Sequence, residues 1–136
     1  MNILIIDAQG GGLGKQIISA VKKTVPDTVI TAVGTNSTAT ANMLKAGADH
    51  AATGENAVVV GCRKADIIIG PIGIVIADSL FGEVTPKMAA AVGQSQAKRL
   101  LIPINQCDNI VLGITGISVN DMVAQILKYL ESETKH

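Results

Sequence analysis

The apolar residues of this 136-residue chain come in short unbroken runs, not in alternation: Ile3 to Ile6, Val29 to Val33 with two small breaks, Ile67 to Ile69, and Leu100 to Ile104. A strand with one wet face alternates apolar and polar residues. An unbroken run has both faces covered, as in a parallel sheet with helices on each side. Between the runs lie segments of helical composition: Lys15 to Val25, Thr38 to Ala46, Glu55 to Lys64, Thr85 to Ala97 and Val119 to Glu131. In the last of these, Met122, Val123, Ile126, Leu127 and Leu130 make one apolar stripe, with cap candidates in Ser118 to Asp121. A further strand is expected near Asp49 and His50.

Glycine clusters stand where strands and helices must exchange: Gly10 to Gly14, Gly34 to Ser37, Gly47, Gly54, Gly70 to Gly73 and Gly113 to Gly116. The predicted fold is therefore α/β: a single-domain, three-layer, doubly wound, mainly parallel sheet of Rossmann-like type over residues 1–136, with 133–136 frayed. In such a sheet a ligand lies at the carboxyl ends of the strands where the winding reverses, here between the first and fourth strands.

Composition narrows the partners. Eleven Lys and Arg balance eleven Asp and Glu, and the sequence pI is about 6.7. Neither nucleic acid nor an anionic membrane is expected on electrostatic grounds. The longest uncharged apolar stretch, Ile67 to Ala77, is 11 residues, against the roughly 20 that a membrane-spanning helix needs. The start MNILIID has no basic n-region, and Cys62 and Cys107 make no disulfide framework, so the expected location is cytoplasmic, with both cysteines as thiols.

The segment Ile3 to Lys15 reads as buried strand, glycine turn and helix. Glycine lets a phosphate approach main-chain N–H groups, and the helix N-terminus favours an anion there. The dinucleotide pattern G-x-G-x-x-G meets Lys15 where its third glycine belongs. The phosphate-loop pattern G-x-x-x-x-G-K-[ST] meets Gln9 and Gln16 in place of its first glycine and its hydroxyl. Gln16 cannot supply the hydroxyl that holds Mg2+, so an ATPase-like module using Lys15 is the weaker reading. The form from Ala8 to Gly14 is similar to the GxxxGxG turn of short-chain dehydrogenases with its first glycine changed to alanine. Two readings stand: a nucleotide or dinucleotide site for an NAD(P)-like or adenine nucleotide, and a non-catalytic sensor or assembly subunit whose turn is purely structural.

The expected ligand-binding set is Asp7, Gln9, Gly10, Gly11, Gly12, Leu13, Gly14 and Lys15 from the turn; Gly34, Thr35, Asn36 and Ser37 after the second strand; and Gly70, Pro71, Ile72 and Gly73 after the fourth. Asp7 can accept from a ribose hydroxyl or cap the turn. Thr35 to Ser37 can touch ribose or a phosphate, or serve as a helix cap. No carboxylate lies between Asp27 and Asp49, where a dinucleotide fold carries its ribose-binding acid. Asp78 and Glu83 flank a loop expected to overhang the same edge, and either can act as a general base. Cys107 beside Asp108, and His50, are weaker candidates. No metal site is expected. Ile72, Ile74, Val75, Ile76, Leu80 and Phe81 exceed what one edge segment needs, so a homodimer is expected, with that segment at its interface.

The pieces DAQGGGLGK, TAVGTNSTATANMLKAGA, ATGENAVVV and ADIIIGPIGIVIADSLFGEVTPKMA, within positions 7 to 91, resemble a family of short bacterial proteins described as a domain of unknown function. The resemblance implies a bacterial cytoplasmic protein and no particular reaction. More loosely, ADIIIGPIG followed by GEVTPKMA is similar to the fourth strand and following helix of nicotinamide-dependent dehydrogenase domains.

Overall fold

Three of the four apolar runs become inner strands of one parallel sheet, and the run from Leu100 falls in an edge strand. The computed structural model describes residues 1–104 and 108–134. Along the chain run β1 (Asn2–Asp7), α1 (Gly12–Thr24), β2 (Val29–Gly34), α2 (Ser37–Lys45), β3 (His50–Thr53), α3 (Glu55–Lys64), β4 (Ile67–Pro71), a 3-10 turn (Ile72–Val75), α4 (Pro86–Gln94), β5 (Lys98–Ile102) and α5 (Val119–Thr134). The strand order is β3-β2-β1-β4-β5, and every pairing is parallel.

The run Ile3 to Ile6 shows why unbroken hydrophobicity is required. Ile3 and Ile5 pack on one face with Ile17, Ile18 and Val21 of α1 and Ile126 and Leu130 of α5. Leu4 and Ile6 pack on the other with Val58 of α3 and Met88 and Val92 of α4. Burying each such side chain contributes about 1.5–3 kcal/mol, so a polar residue at any of the four positions costs the fold on one face or the other. Winding runs outward from β1 through β2 to β3, then returns across β1 to β4. The reversal between β1 and β4 leaves a crevice at the carboxyl edge of the sheet.

Four sequence expectations need correction. Gly70 and Pro71 are not a turn; they extend β4 and pair with Leu101 and Ile102. Consequently β5 starts two residues earlier than its apolar run and ends at Ile102. The helix expected over Thr85 to Ala97 ends at Gln94, because Ser95 and Ala97 turn the chain back to the sheet edge through the Ser95 hydroxyl. The closing helix, expected to end at Glu131, runs on to Thr134. At the start of that helix Ser118 and Asp121 cap each other reciprocally, each at 3.1 Å. Among the described residues no helix is long and apolar enough to cross a membrane.

Candidate functional site

At the end of β1 the chain must reverse into α1 within five residues, and a buried carboxylate organises the reversal. Asp7 accepts the N–H of Ala8 at 2.8 Å and of Gly14 at 2.7 Å. Its pKa is raised, chiefly because burial penalises the charge and in part because Glu83 is nearby; the turn's N–H groups oppose the rise. Asp7 thus caps the glycine turn with both oxygens and takes one of the helix donors that an anion would otherwise use. Gln9 holds a left-handed backbone, φ 53°, which costs a non-glycine residue about 1–2 kcal/mol. Its two main-chain groups are fixed from outside: the N–H donates to Glu83 Oε1 at 2.9 Å and the carbonyl accepts from Asn36 Nδ2 at 2.9 Å.

The turn glycines divide into two kinds. Gly11 has φ 72°, and a Cβ there would lie 2.8 Å from the Ala39 backbone; at Gly14 a Cβ would meet the Met43 sulfur at 2.5 Å. Those two glycines are required by the protein's own packing. Gly10 and Gly12 have ordinary φ and nothing within 4 Å of an added Cβ. Both line a cavity of about 210 Å³ bounded also by Asp7, Gln9, Leu13 and, across the crevice, Pro71, Leu80 and Ile104. Among the described residues no acceptor takes the N–H of Gly10 or Gly12.

The remaining expected residues fall in three places. Asn36 is the N-cap of α2, its Oδ1 accepting the Ala39 N–H at 2.9 Å, and Ser37 is the exposed first residue of that helix. Thr35 donates its hydroxyl to Glu83 Oε1 at 2.7 Å. Gly34 is packed against Thr40, and Gly70 lets β4 approach the Ile6 carbonyl, 2.5 Å from where a Cβ would stand. Of Gly70 to Gly73 only Pro71 faces the cavity; Gly73 packs under Ser79 and Leu80, and Ile72 lies in the 3-10 turn. Lys15 is exposed on α1, while Gln16 donates to Asn120 of α5 at 2.7 Å.

Leu80, Ala8 and Ile104 line the cavity but stand outside the ligand-binding set expected from the sequence. For Ile104 no signal existed, since its apolar run reads as strand. His50 opens β3 and therefore lies at the amino edge, opposite the crevice. Cys62 is buried in α3, with its thiol pushed up to about 11 by desolvation. Cys107 lies outside the described residues. Among the described residues no three His, Cys, Asp or Glu side chains converge as a metal site. A larger groove, about 480 Å³, runs between β5 and α5, but its lining is mostly aliphatic. Its Arg99 guanidinium is spent on carbonyls of Val92, Ser95 and Ala97.

The segment expected at a dimer interface is instead largely used within the chain. Ile74 and Leu80 are core residues, Ile72, Val75 and Ile76 are half-buried, and Phe81 is 96% exposed.

The model of the family described as a domain of unknown function, DUF3842, matches residues 2–135. The chain belongs to that family. No curated protein matches the sequence. A solved structure described as a dodecameric FMN-dependent UbiX-like decarboxylase from Escherichia coli O157:H7 aligns over 98% of this chain and 94% of its own, with a TM-score of 0.53 and 16% identity. At that identity the likeness is one of fold, and it supports the Rossmann-like α/β architecture for this DUF3842 protein.

Proposed function

We propose that the protein binds a phosphate-bearing nucleotide-type ligand at the β1–α1 turn. The observation that carries this reading is the division among the glycines. Gly10 and Gly12 have no packing reason to lack a side chain, face an open cavity at the reversal of winding, and have N–H groups that no acceptor takes among the described residues. A phosphate oxygen takes two such amides well, with the α1 N-terminus behind them.

The reading favours a mononucleotide over a dinucleotide such as NAD(P). Pockets that enclose drug-sized ligands run to roughly 300–1,000 Å³, whereas this cavity holds about 210 Å³, room for a phosphate and the start of a sugar. Asp7 and Glu83 add negative charge beside the turn, and Lys15 stands exposed, so di- and triphosphates gain little. The neighbour of similar fold is described as FMN-dependent, which agrees with a flavin mononucleotide or an adenine mononucleotide as candidates. That neighbour is also described as dodecameric; self-association here would use the exposed Phe81, Ile110 and Leu112. A cytoplasmic setting goes with such a ligand.

The second reading, a structural turn in a non-catalytic subunit, draws on Asp7, which already satisfies the Gly14 amide. Thermal shift with FMN, AMP, ADP, ATP, NAD and NADP separates the two. A ligand at 100 times its dissociation constant adds about 2.7 kcal/mol, several degrees for a domain of this size. The proposal expects a shift with FMN or AMP; no shift with any of the six favours the structural turn.

A further inference from the structure

The sequence carries no acid at the end of β2, yet the fold brings one there. Glu83 belongs to the connection between β4 and α4, and its Oε1 accepts the Thr35 hydroxyl at 2.7 Å, Asn36 Nδ2 at 2.7 Å and the Gln9 N–H at 2.9 Å. Thr35 directly follows Gly34, the last residue of β2. In doubly wound nucleotide-binding sheets an acid at this point accepts from the ribose hydroxyls. Here the residue after the strand supplies a donor and the carboxylate comes from across the crevice.

The hydrogen bonding is one-sided. A carboxylate has two acceptor oxygens, roughly four lone-pair sites, so donors gathered on one oxygen leave the other open to a ligand. All three donors crowd onto Oε1, and among the described residues Oε2 accepts from none. Burial is the largest single influence on Glu83 and pushes its pKa up, but the three hydrogen bonds together outweigh it and hold the group below its ordinary value, so it is charged at neutral pH. Gln9, whose N–H holds the carboxylate, also lines the cavity at the glycine turn. Glu83 thus stands one residue behind the cavity wall, in contact with it through Gln9.

Resting on the proposed nucleotide site, we infer that Glu83 is its hydroxyl-reading residue: with a phosphate on the Gly10 and Gly12 amides, Oε2 accepts from the vicinal hydroxyls of a phosphorylated ribose or ribityl chain. The same charge rejects a ligand carrying a second phosphate on those hydroxyls, such as NADP.

Calorimetric titration of the wild type and Glu83→Gln with AMP, 2′,3′-dideoxy-AMP, FMN and inorganic phosphate tests this. Glutamine keeps an oxygen for the three donors and replaces only the second acceptor, with an amide NH2. The inference expects the variant to lose about tenfold or more in affinity for the hydroxylated ligand, the scale of a charged hydrogen bond, with dideoxy-AMP and phosphate bound no more weakly than by the wild type. Loss with AMP assigns ribose; loss with FMN alone assigns ribityl. Equal loss for AMP and dideoxy-AMP, or no loss for either AMP or FMN, overturns the inference and leaves the phosphate site standing. If no probe binds the wild type, the site itself is refuted. Should the variant not fold, the wild-type preference decides: equal affinity for AMP and dideoxy-AMP with no binding of FMN overturns the inference, and a preference for AMP or binding of FMN above phosphate upholds it.

Discussion

The two connections that meet over the crevice solve the same problem in opposite ways. The β1–α1 turn is short and places glycine at its tightest points, so it exposes main chain. The β4–α4 connection is long and uses side chains: Asp78, Leu80 and Phe81 hold φ of 65°, 55° and 59°, followed by Gly82 at 82°. Such a run of left-handed residues costs about 1–3 kcal/mol at each non-glycine position. It is held by the Asp78 N–H on the Val84 carbonyl at 2.8 Å, by the Ser79 hydroxyl on the Gly73 carbonyl, and by Leu80, 2% exposed. One connection supplies amides, and the other, under strain, carries Leu80 and Glu83 to the crevice.

The contrast breaks most severely at Gly11. Gly11→Ala combines a left-handed φ with a Cβ 2.8 Å from the Ala39 backbone, and should lose roughly 3–5 kcal/mol in urea denaturation. Leu80→Ala comes next, at about 2–4 kcal/mol in the same assay, because it empties core space and leaves the strained backbone without its anchor. Phe81→Gly runs the other way. Its ring is 96% exposed at φ 59°, so relief of strain should raise stability by about 1 kcal/mol; a loss would mean that the ring makes contacts. Gly12→Ala should stay within about 0.5 kcal/mol of the wild type, there being open space at the Cβ position.

Acid should act on the two carboxylates in opposite directions. Glu83, with its folded pKa below the ordinary 4.5, contributes stability that is present above that pH and lost as pH falls through the folded value. Asp7, raised above 3.8, is protonated more readily in the folded state, so its contribution is greatest in acid and declines as pH rises through the folded value. The stability gap between wild type and Glu83→Gln should therefore narrow when denaturation is repeated between about pH 7 and pH 3. A constant gap would show that the charge of Glu83 contributes nothing.

The sheet was legible because its evidence is local: runs such as Ile3 to Ile6 and Ile67 to Ile69 need cover on both faces wherever they lie. Gly70 and Pro71 misled because glycine and proline signal a turn, whereas here Pro71 ends an inner strand and Gly70 accommodates the Ile6 carbonyl. The site was less legible. Its glycine turn could be read off, but nothing local separates Gly11 from Gly12, since the distinction depends on α2 packing against one and not the other. Glu83 is 48 residues from Thr35, with which it bonds, a pairing that only the return of the chain across β1 creates. For the same reason the hydrophobicity of Ile74 and Leu80 suggested an interface, when the two residues in fact fill the core.

The claim on which the account rests is that the Gly10 and Gly12 amides hold a phosphate. A 1H–15N correlation spectrum recorded while FMN or AMP is titrated tests it directly, with Gly47 and Gly93, which precede β3 and β5 at the opposite edge of the sheet, as internal controls. The account expects the Gly10 and Gly12 amide protons to move downfield and saturate with the ligand, while Gly47 and Gly93 stay in place. Saturable binding that leaves Gly10 and Gly12 unmoved and shifts amides elsewhere would contradict it.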